Sequence, residues 1–421
     1  MEITVIIPSS NRAQLLEKTL DSLSRQTRSD FRVLVVDHGS TDETRAVCGR
    51  KENALHLKYF RLEKDRNGPG IPRHYAMQRV ETPLAAFLDC GVVVPTFYVQ
   101  AHLAFHQQHP HYVGIGLYHG YRPFGEQDER WSELLKQVAI DEAPGIVQEQ
   151  PDLADERRRF DPDGKNFMWM YGWTGNLSLP VEDYQAAGGF DLHLEYAFED
   201  IDLSYRLFKQ GSQFGFVENG WGIHLPHAQP PRRFLRKVRN FGWEQSYRKL
   251  RTLGLEIMYY TTLNGRYAEQ TLAYLLSLKR ALATLPSTAS LVTRYDFARP
   301  SLLLGGTLQD ASFYDYLALG DEQIESTATL WSCCGLRIPL DDQSLQSVVV
   351  TDIWKWLNCA FNKGSLTMLE FMLAELTRTT HKVFFIDSPG QLLPGAPSCS
   401  LTQLELLCRR YELEFQIIVP E

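Results

Sequence analysis

Two sets of acidic residues have the types and the spacing that catalysis needs. Asp89 ends a buried apolar run, where a carboxylate can bind a divalent cation. Glu199 and Asp200 are neighbours much later in the chain. Adjacent carboxylates raise each other's pKa, and a raised pKa suits a general base that works near neutral pH. The sequence therefore predicts one position that handles an anionic group and one that removes a proton.

Alternating strands and helices in the first third of the chain must position these carboxylates. Apolar residues recur at Leu16, Leu20 and Leu23, the spacing of one helix face. Strands that alternate with such helices form βαβ units and a largely parallel sheet, so the predicted fold class is α/β. The predicted strands are "ITVIIP" (3–8), "FRVLVVD" (31–37), "LKYFRL" (57–62) and "PLAAFLD" (83–89). "AQLLEKTLDSLSRQ" (13–26) is a predicted helix, and "NGPGIPRHYAMQRV" (67–80) is a predicted glycine-proline turn that enters a helix.

The loops beside these strands carry motifs that resemble one enzyme family. In an open α/β sheet, the carboxyl ends of the strands form the ligand crevice. "VIIPSSNR", "DHGSTDET", "NGPGIPRHYA", "DCG" and the later "EDIDL" follow one another in the order seen in family 2 glycosyltransferases. The chain resembles that family from residue 3 to about 227. The resemblance implies the Rossmann-like GT-A fold of nucleotide-diphospho-sugar transferases.

The first motifs are those that bind a nucleotide-sugar donor in this family, and we expect a UDP-linked donor. His38 replaces the second acid of the family's D-D-G-S-x-D-x-T motif. Because that acid usually meets the nucleotide base, the substitution leaves the base preference open. The donor-binding residues that the resemblance implies are Pro8, Asn11, Asp37, His38, Arg73, Asp89 and Cys90.

"FLDCGVVVP" occupies the place of the family's D-x-D metal motif, but Gly91 stands where a second carboxylate is expected. In the family, a divalent ion there bridges phosphate oxygens and stabilises the charge on the departing nucleotide. Asp89 could hold Mn²⁺ or Mg²⁺ with phosphates, water and a later histidine, which the resemblance suggests is His224. Alternatively, the enzyme is metal-independent and uses Arg73 or the basic segment 232–251, or the site is inactive.

"WTGNLSLP" and the later acidic block resemble the acceptor side of the family, in its galactosyltransferase-type branch. The family's general base carries over to Asp200, with Glu199 orienting the acceptor. The acceptor would attack the anomeric carbon from the face opposite the nucleotide, with inversion. We expect Asp202 to cap the helix "IDLSYRL". The implied acceptor-binding residues are Trp173, Gly175 and Asn176.

Composition and charge exclude some classes of partner. The formal net charge of −8 at pH 7 argues against nucleic acid, since phosphate neutralisation needs a basic surface. No apolar run reaches the roughly 18 residues of a membrane span, and no basic segment precedes the first hydrophobic run. The seven cysteines show no zinc-type spacing. We therefore expect a cytoplasmic protein with reduced thiols, whose basic segment 230–251 allows peripheral contact with a membrane, an acidic acceptor or the diphosphate.

Three regions are predicted: a GT-A domain (1–228), a basic helical linker (229–285) and an accessory α/β domain (286–421). The insertion at 120–168 is expected to close over the site. The accessory domain weakly resembles a class I methyltransferase, but no glycine-rich turn follows "RPSLLLGG", so the backbone cannot approach an adenosyl cofactor closely. We expect a degenerate, non-catalytic domain that recognises the acceptor or forms a homo-oligomer.

The predicted function is that of an inverting hexosyl- or hexosaminyltransferase. It would move a sugar from a nucleotide-sugar donor to a glycan, peptide or natural-product acceptor. One alternative is a catalytically silent scaffold that binds sugar nucleotides or glycans, because the acid at position 91 is missing. Another is a bifunctional glycosyltransferase and methyltransferase. The residues do not identify the sugar or the acceptor, because pocket shape sets specificity.

Overall fold

The chain divides into two compact units, Met1–Gly242 and Trp243–Glu421. Most of the predicted linker at 229–285 lies outside the residues that the structure describes. The computed structural model describes residues 2–64, 68–121, 129–155, 157, 168–194, 198–227, 242–252, 255–256, 294–295, 297–305, 310, 314–318, 330–331, 335–357, 367–388 and 399–420.

A seven-stranded sheet and a small three-stranded sheet make up the first unit. The strands described there are β1 (Ile3–Ser9), β2 (Arg32–His38), β3 (Leu57–Leu62), β4 (Leu84–Leu88), β5 (Val92–Val93), β6 (Tyr112–Ile115), β7 (Tyr118–His119), β8 (Asn176–Pro180), β9 (Gln213–Phe216) and β10 (Gly222–His224). The large sheet has the order β3-β2-β1-β4-β8-β6-β9. Its pairings are parallel except those of β8, which is antiparallel to both neighbours. The predicted α/β class with a largely parallel sheet is therefore confirmed.

Helices cover the large sheet and connect its strands. Those described in the first unit are α1 (Ala13–Leu23), α2 (Thr44–Lys51), α3 (Gly70–Met77), α4 (Tyr98–Gln108), α5 (Arg130–Leu134), α6 (Ala143–Glu149), α7 (Val181–Ala186) and α8 (Glu199–Lys209). The apolar spacing of α1 has the predicted consequence, because Leu16, Leu20 and Leu23 are buried. They form one core cluster with alternate residues of β1, including Val5 and Ile7.

Two helix predictions need correction. Helix α1 ends at Leu23, before its predicted end at 26, whereas the predicted turn at 67–80 does lead into a helix, α3. Asp202 does not cap α8, because the helix already begins at Glu199. Asp202 lies inside the first turns, where it forms an ion pair of 2.6 Å with Arg206, one turn later. The strands were easier to place, since their apolar runs are continuous.

The small sheet has the order β5-β10-β7 and lies next to the end of β4. Strand β10 is antiparallel to β5, with His224 opposite Val92. The backbone N–H of Leu225 also donates to Gly91 O at 2.9 Å. This pairing brings a segment from far along the chain beside the turn that follows Asp89.

The insertion between β7 and β8 is a packed layer over part of its length. Its described residues include α5, α6 and two short 3-10 turns, Ile140–Glu142 and Pro151–Leu153. Trp131 and Val147 are buried in one cluster with Trp221 and Ile223. Residues 122–128, 156 and 158–167 of this insertion lie outside the described residues. The closure of the insertion over the site stays a prediction.

The second unit contains a separate parallel sheet. Its described elements are β11 (Ser301–Leu304), β12 (Tyr316–Ala318), β13 (Leu330–Trp331), β14 (Leu345–Val350), the 3-10 helix Asp352–Trp356, α9 (Met368–Thr379), β15 (Thr380–Ile386), α10 (Leu401–Arg410) and β16 (Phe415–Ile418). The strand order is β13-β12-β11-β14-β15-β16, with every described pairing parallel. In chain order this is 3-2-1-4-5-6, the arrangement of doubly wound nucleotide-binding sheets.

Gly305, which directly follows β11, is packed against protein atoms. Thr351 Oγ1 donates to Gly305 O at 2.9 Å. A Cβ built on Gly305 would lie 2.5 Å from that hydroxyl and 3.2 Å from Ile353. Among the described residues of both units, no helix is long and apolar enough to cross a lipid bilayer.

Candidate active site

The loops that follow β1 and β2 are held together by hydrogen bonds. Asn11 Oδ1 accepts from Thr41 N at 2.8 Å, and Asn11 N donates to Ser40 Oγ at 2.8 Å. Asn11 is exposed and has a φ of +52°, a left-handed conformation that asparagine tolerates better than most residues. Pro8, near the end of β1, is half-buried. These two predicted donor-binding residues therefore lie at the carboxyl edge of the sheet, as the resemblance implies.

Asp37 and His38 end β2 and are almost fully buried. Asp37 Oδ1 accepts from Ser40 N at 2.9 Å, and Oδ2 accepts from the Tyr59 hydroxyl at 2.6 Å. Each carboxylate oxygen keeps a further lone pair. Asp37 is therefore already oriented by the loop and by Tyr59, a partner that no sequence motif indicated.

Asp89 follows β4 in a tight turn whose backbone explains the missing acid. Asp89 N donates to Gly175 O at 2.9 Å, and Val92 N donates to Asp89 O at 3.0 Å. Gly91 has a φ of +100°, a region that residues with a side chain rarely adopt. The atoms nearest to a Cβ at position 91 all belong to Leu15, at 3.5–3.6 Å. The backbone at position 91 therefore has a conformation that favours glycine. The missing acid reflects this backbone and not only the loss of a side chain.

The structure does not place Cys90 with the donor-binding residues. Its side chain is 3 % exposed and belongs to the core cluster under β1. Its sulfur contacts Arg12 O at 3.7 Å and Ser9 Oγ at 3.8 Å. Asp89 is partly exposed and paired with Arg73, whereas the next side chain, Cys90, is buried in the core.

Arg73, in α3, joins the two acidic positions predicted from the sequence. Its guanidinium donates to Asp89 Oδ1 at 2.5 Å and to Glu199 Oε1 at 3.2 Å. Only 4 % of the Arg73 side chain is exposed. Removing one member of a buried ion pair leaves an uncompensated charge and costs about 3–5 kcal/mol. Asp89 and Glu199 thus belong to one cluster, in which Arg73 is directed at carboxylates.

Glu199 and Asp200 begin α8 and have different surroundings. Burial, followed by the charge of Asp200, raises the pKa of Glu199, while Arg73 acts in the opposite direction. Burial also raises the pKa of Asp200, again against the effect of Arg73. Glu199 is buried, whereas Asp200 is partly exposed, with Oδ1 accepting from Ile201 N at 2.8 Å. Asp200 is therefore the carboxylate of the pair that an incoming nucleophile could reach.

The predicted acceptor segment lies against both acidic positions. The backbone N–H of Thr174 bonds to Asp200, and a Cβ on Gly175 would lie 3.0 Å from Asp89 Oδ2. Trp173 is partly exposed. Gly175 is thus required by a close approach of side chains.

Asn176 has a different place from its two predicted partners. It is 0 % exposed, and its amide accepts from the Tyr98 hydroxyl at 3.0 Å and donates to Leu117 O and Gly220 O at 3.0 and 2.8 Å. Because these hydrogen bonds all go to protein groups, the Asn176 amide stabilises the structure beneath the site. The structure therefore separates Asn176 from Trp173 and Gly175, which border the acidic cluster.

His224, in β10, has features that fit a metal ligand. The charge of Asp89 acts on its imidazole, and burial lowers the pKa of His224 to about 4, so that the ring is neutral at pH 7. Its Nδ1 is buried without a hydrogen-bond partner among the described residues. A neutral imidazole with an unused ring nitrogen can bind a divalent transition metal.

A set of three close metal-ligating side chains occurs elsewhere. Within the described part of the chain, the only group of at least three His, Cys, Asp or Glu ligand atoms within 4.8 Å of one another is His111, Glu182 and Asp183, near the surface. Asp89 and His224 do not form such a set. A cation at Asp89 would therefore need ligands from the substrate or from water.

Aromatic residues near Asp89 were missed by the sequence analysis. A Cβ on Gly175 would lie 2.9 Å from the Tyr118 hydroxyl. Tyr121 packs against Tyr118, Trp173 and His224, with ring centroids 4.8, 5.9 and 5.1 Å apart. The aromatic-rich "GLYHGYRPF" could have indicated aromatic residues in the site, but nothing in this stretch shows which rings face it.

Part of the chain is similar in sequence to known glycosyltransferases. Residues 4–167 match the family model described as glycosyl transferase family 2. The chain is similar to validoxylamine A glucosyltransferase of Streptomyces hygroscopicus subsp. jinggangensis (strain 5008), with 37 % identity over 244 residues that cover 54 % of this chain and 56 % of that protein. It is also similar to chondroitin synthase of Escherichia coli, with 24 % identity over 242 residues, 54 % of this chain and 35 % of that protein.

The chain thus spans about half, or less, of the length of these curated relatives. Among solved structures, it is similar to S. aureus TarS 1–349 in complex with UDP-GlcNAc, with a TM-score of 0.44, 17 % identity, and coverage of 68 % of this chain and 82 % of that one. Over residues 4–167, the chain is similar to glycosyl transferase family 2.

Proposed function

We propose that the first unit is an inverting glycosyltransferase that uses a nucleotide-sugar donor. The observation that carries the proposal is the cluster around Arg73, which joins Asp89 on the donor side to Glu199 on the acceptor side. Both substrates of a sugar transfer must meet at such a point. The family match and the names of the relatives support transfer of a sugar.

Asp200 acts as the general base in this proposal. Its raised pKa and partial exposure suit a carboxylate that takes a proton from the acceptor. The acceptor oxygen or nitrogen then bonds to the anomeric carbon while the bond to the nucleoside diphosphate breaks on the opposite face. Glu199, held by Arg73, orients the acceptor.

The donor lies over the carboxyl edge of the large sheet, beside Asn11, Pro8 and the β2 loop. A UDP-linked donor follows from the resemblance of these loops to the family. The similarity to a protein named validoxylamine A glucosyltransferase makes glucose the first sugar to test and validoxylamine A the first acceptor. A chain that spans only half of that relative need not share its substrates.

A divalent cation fits this site with Asp89 and His224 as protein ligands and phosphate oxygens completing the set. When bound, it would supply charge stabilisation for the departing diphosphate. Arg73 already neutralises part of the negative charge at Asp89. Whether transfer proceeds with Arg73 alone is tested by adding EDTA to the assay and restoring Mn²⁺.

The substitution Asp200→Asn tests the base. It keeps the size of the side chain but removes its ability to accept a proton, so transfer is expected to fall by about 10²–10⁴-fold. Binding of UDP, measured by calorimetry, should not change, because Asp200 is on the acceptor side. Undiminished turnover in this variant with normal UDP binding would overturn the proposal.

A silent scaffold is the second candidate function, favoured by the glycine at position 91. It predicts binding of UDP with neither hydrolysis nor transfer from UDP-glucose or UDP-GlcNAc. The cytoplasmic location, membrane contact and self-association stay predictions from the sequence.

A further inference from the structure

A buried arginine from the charged insertion ties together the two ends of that insertion. Arg157 is 0 % exposed, although it belongs to the run "DERRRF". Its guanidinium donates to Gly116 O and to Tyr171 O, both at 3.0 Å, and to Asp155 Oδ2 at 2.6 Å. Gly116 precedes the insertion and Tyr171 lies at its end. The Arg157 side chain therefore fixes the distance between the residue before the insertion and the residue at its end.

The same guanidinium contacts two aromatic rings that also pack edge to face against each other. Its central carbon is 4.6 Å from the ring centroid of Tyr118 and 4.6 Å from that of Trp173. Asp155 Oδ2 also accepts from the backbone N–H of Tyr118 at 2.8 Å. Cation–π attraction is strongest where water is excluded, so Arg157 and Asp155 hold the backbone and the rings together.

These rings border the catalytic cluster. Tyr118, Tyr121 and Trp173 form what we call the aromatic wall. The Tyr118 hydroxyl and Asp89 Oδ2 both lie within about 3 Å of the Cβ position of Gly175. Trp173 precedes the residue whose N–H bonds to Asp200. The wall therefore reaches the donor-side carboxylate at one end and the general base at the other.

We propose that Arg157 is a positioning residue that sets the orientation of the aromatic wall and, through it, the affinity for an acceptor with a carbohydrate-like ring. This proposal rests on the proposed function. The partly exposed rings of Tyr121 and Trp173, beside a general base, suit the apolar face of such a ring. Arg157 acts through Tyr118 and Trp173, because its own hydrogen bonds go to protein atoms.

The variant Arg157→Lys separates positioning from catalysis. Lysine keeps the charge but lacks the flat fork that contacts both rings and donates to three groups. With UDP-glucose as donor and validoxylamine A as the acceptor probe, we expect the acceptor KM to rise about tenfold or more, while kcat changes less. The Kd of UDP and the hydrolysis of UDP-glucose without acceptor should stay within about twofold of the parent values.

A matched control distinguishes this effect from general destabilisation. Ser178 Oγ bonds to two buried histidines, His102 and His106, each at 2.8 Å, in the core of the same unit. Ser178→Ala should lower Tm without raising the acceptor KM. If Arg157→Lys leaves the acceptor KM unchanged, or if Ser178→Ala raises it equally, the proposal is wrong.

A second variant covers the case in which Arg157→Lys does not fold. The double change Asp155→Asn with Arg157→Gln removes both buried charges together, so neither is left unpaired. Its crystal structure should show the rings of Tyr118 and Trp173 displaced, and unmoved rings would overturn the positioning role. If the parent protein transfers no sugar from any donor, the proposed function fails, and displaced rings would then still support the positioning role.

Discussion

At the scale of single residues, Gly91 decides what kind of site Asp89 can form. The turn has a positive φ at position 91, and a Cβ there would be in van der Waals contact with Leu15. The motif order located Asp89, Asp200 and Arg73 from the sequence alone, since these positions keep the family's pattern. The turn conformation was not predictable, because a glycine in a motif can mean either a lost side chain or a different backbone.

The change Gly91→Asp should therefore not create a second metal ligand. We expect it to lower the free energy of unfolding by about 1–3 kcal/mol, the cost of forcing a residue into a sparsely populated backbone region. Urea unfolding measures the loss, and calorimetry with Mn²⁺ shows whether affinity improves. Gly145→Asp is the matched control, because a Cβ at Gly145 meets nothing within 4 Å. Tighter Mn²⁺ binding without any loss of stability would contradict this account of the turn.

Arg73 should control the pH at which the base becomes active. Its charge lowers the pKa of both Glu199 and Asp200 against the effect of burial. In Arg73→Gln that opposition is gone, so both pKa values rise further. Because a base works when deprotonated, the acid limb of the profile of kcat/KM against pH should move to higher pH. Arg73→Lys keeps a charge there and should move the limb less; an acid limb that stays in place in Arg73→Gln would refute the link.

At the scale of elements, continuous apolar runs made strands β1 to β4 of the large sheet predictable, whereas the short pairings of the small sheet were not. Strands β5, β7 and β10 have only two or three residues each, too few to show a period. Their pairing depends on contacts between distant segments, and these contacts position His224. Arg157 was not singled out for the same reason, since its partners Gly116 and Tyr171 are 41 and 14 residues away in the chain.

Asn176 should prove to be a structural residue of β8. In Asn176→Ala, the Tyr98 hydroxyl and two backbone carbonyls lose their partner, and each unsatisfied buried group costs about 1–3 kcal/mol. We expect a loss of about 2 kcal/mol or more in urea unfolding. Asn176→Asp should be no better, because it places a carboxylate against Leu117 O and Gly220 O. A fully stable Asn176→Ala with a raised acceptor KM would instead favour direct acceptor contact.

At the scale of the whole molecule, the second unit shows that strand order alone does not establish a binding function. Its sheet has the order of nucleotide-binding folds. Yet Gly305, which directly follows its first strand, packs against Thr351 and Ile353 where a side chain is lacking. The sequence predicted an α/β domain here, and the missing glycine-rich turn argued against a cofactor.

The full chain is therefore expected not to bind S-adenosylmethionine. Backbone N–H groups can cradle a ligand only if the turn is open to it, and Thr351 Oγ1 already bonds to Gly305 O. Isothermal calorimetry at micromolar protein concentration checks this, with UDP titrated into the same sample as the control. Saturable binding of S-adenosylmethionine would revive a bifunctional enzyme.

The hydrogen bond from Leu225 N to Gly91 O has a consequence for how this site can evolve. It couples the glycine turn to the strand that carries His224, so a substitution that moves the backbone at position 91 also moves that strand. We therefore expect substitutions at the two places to be epistatic, with effects on stability that do not add.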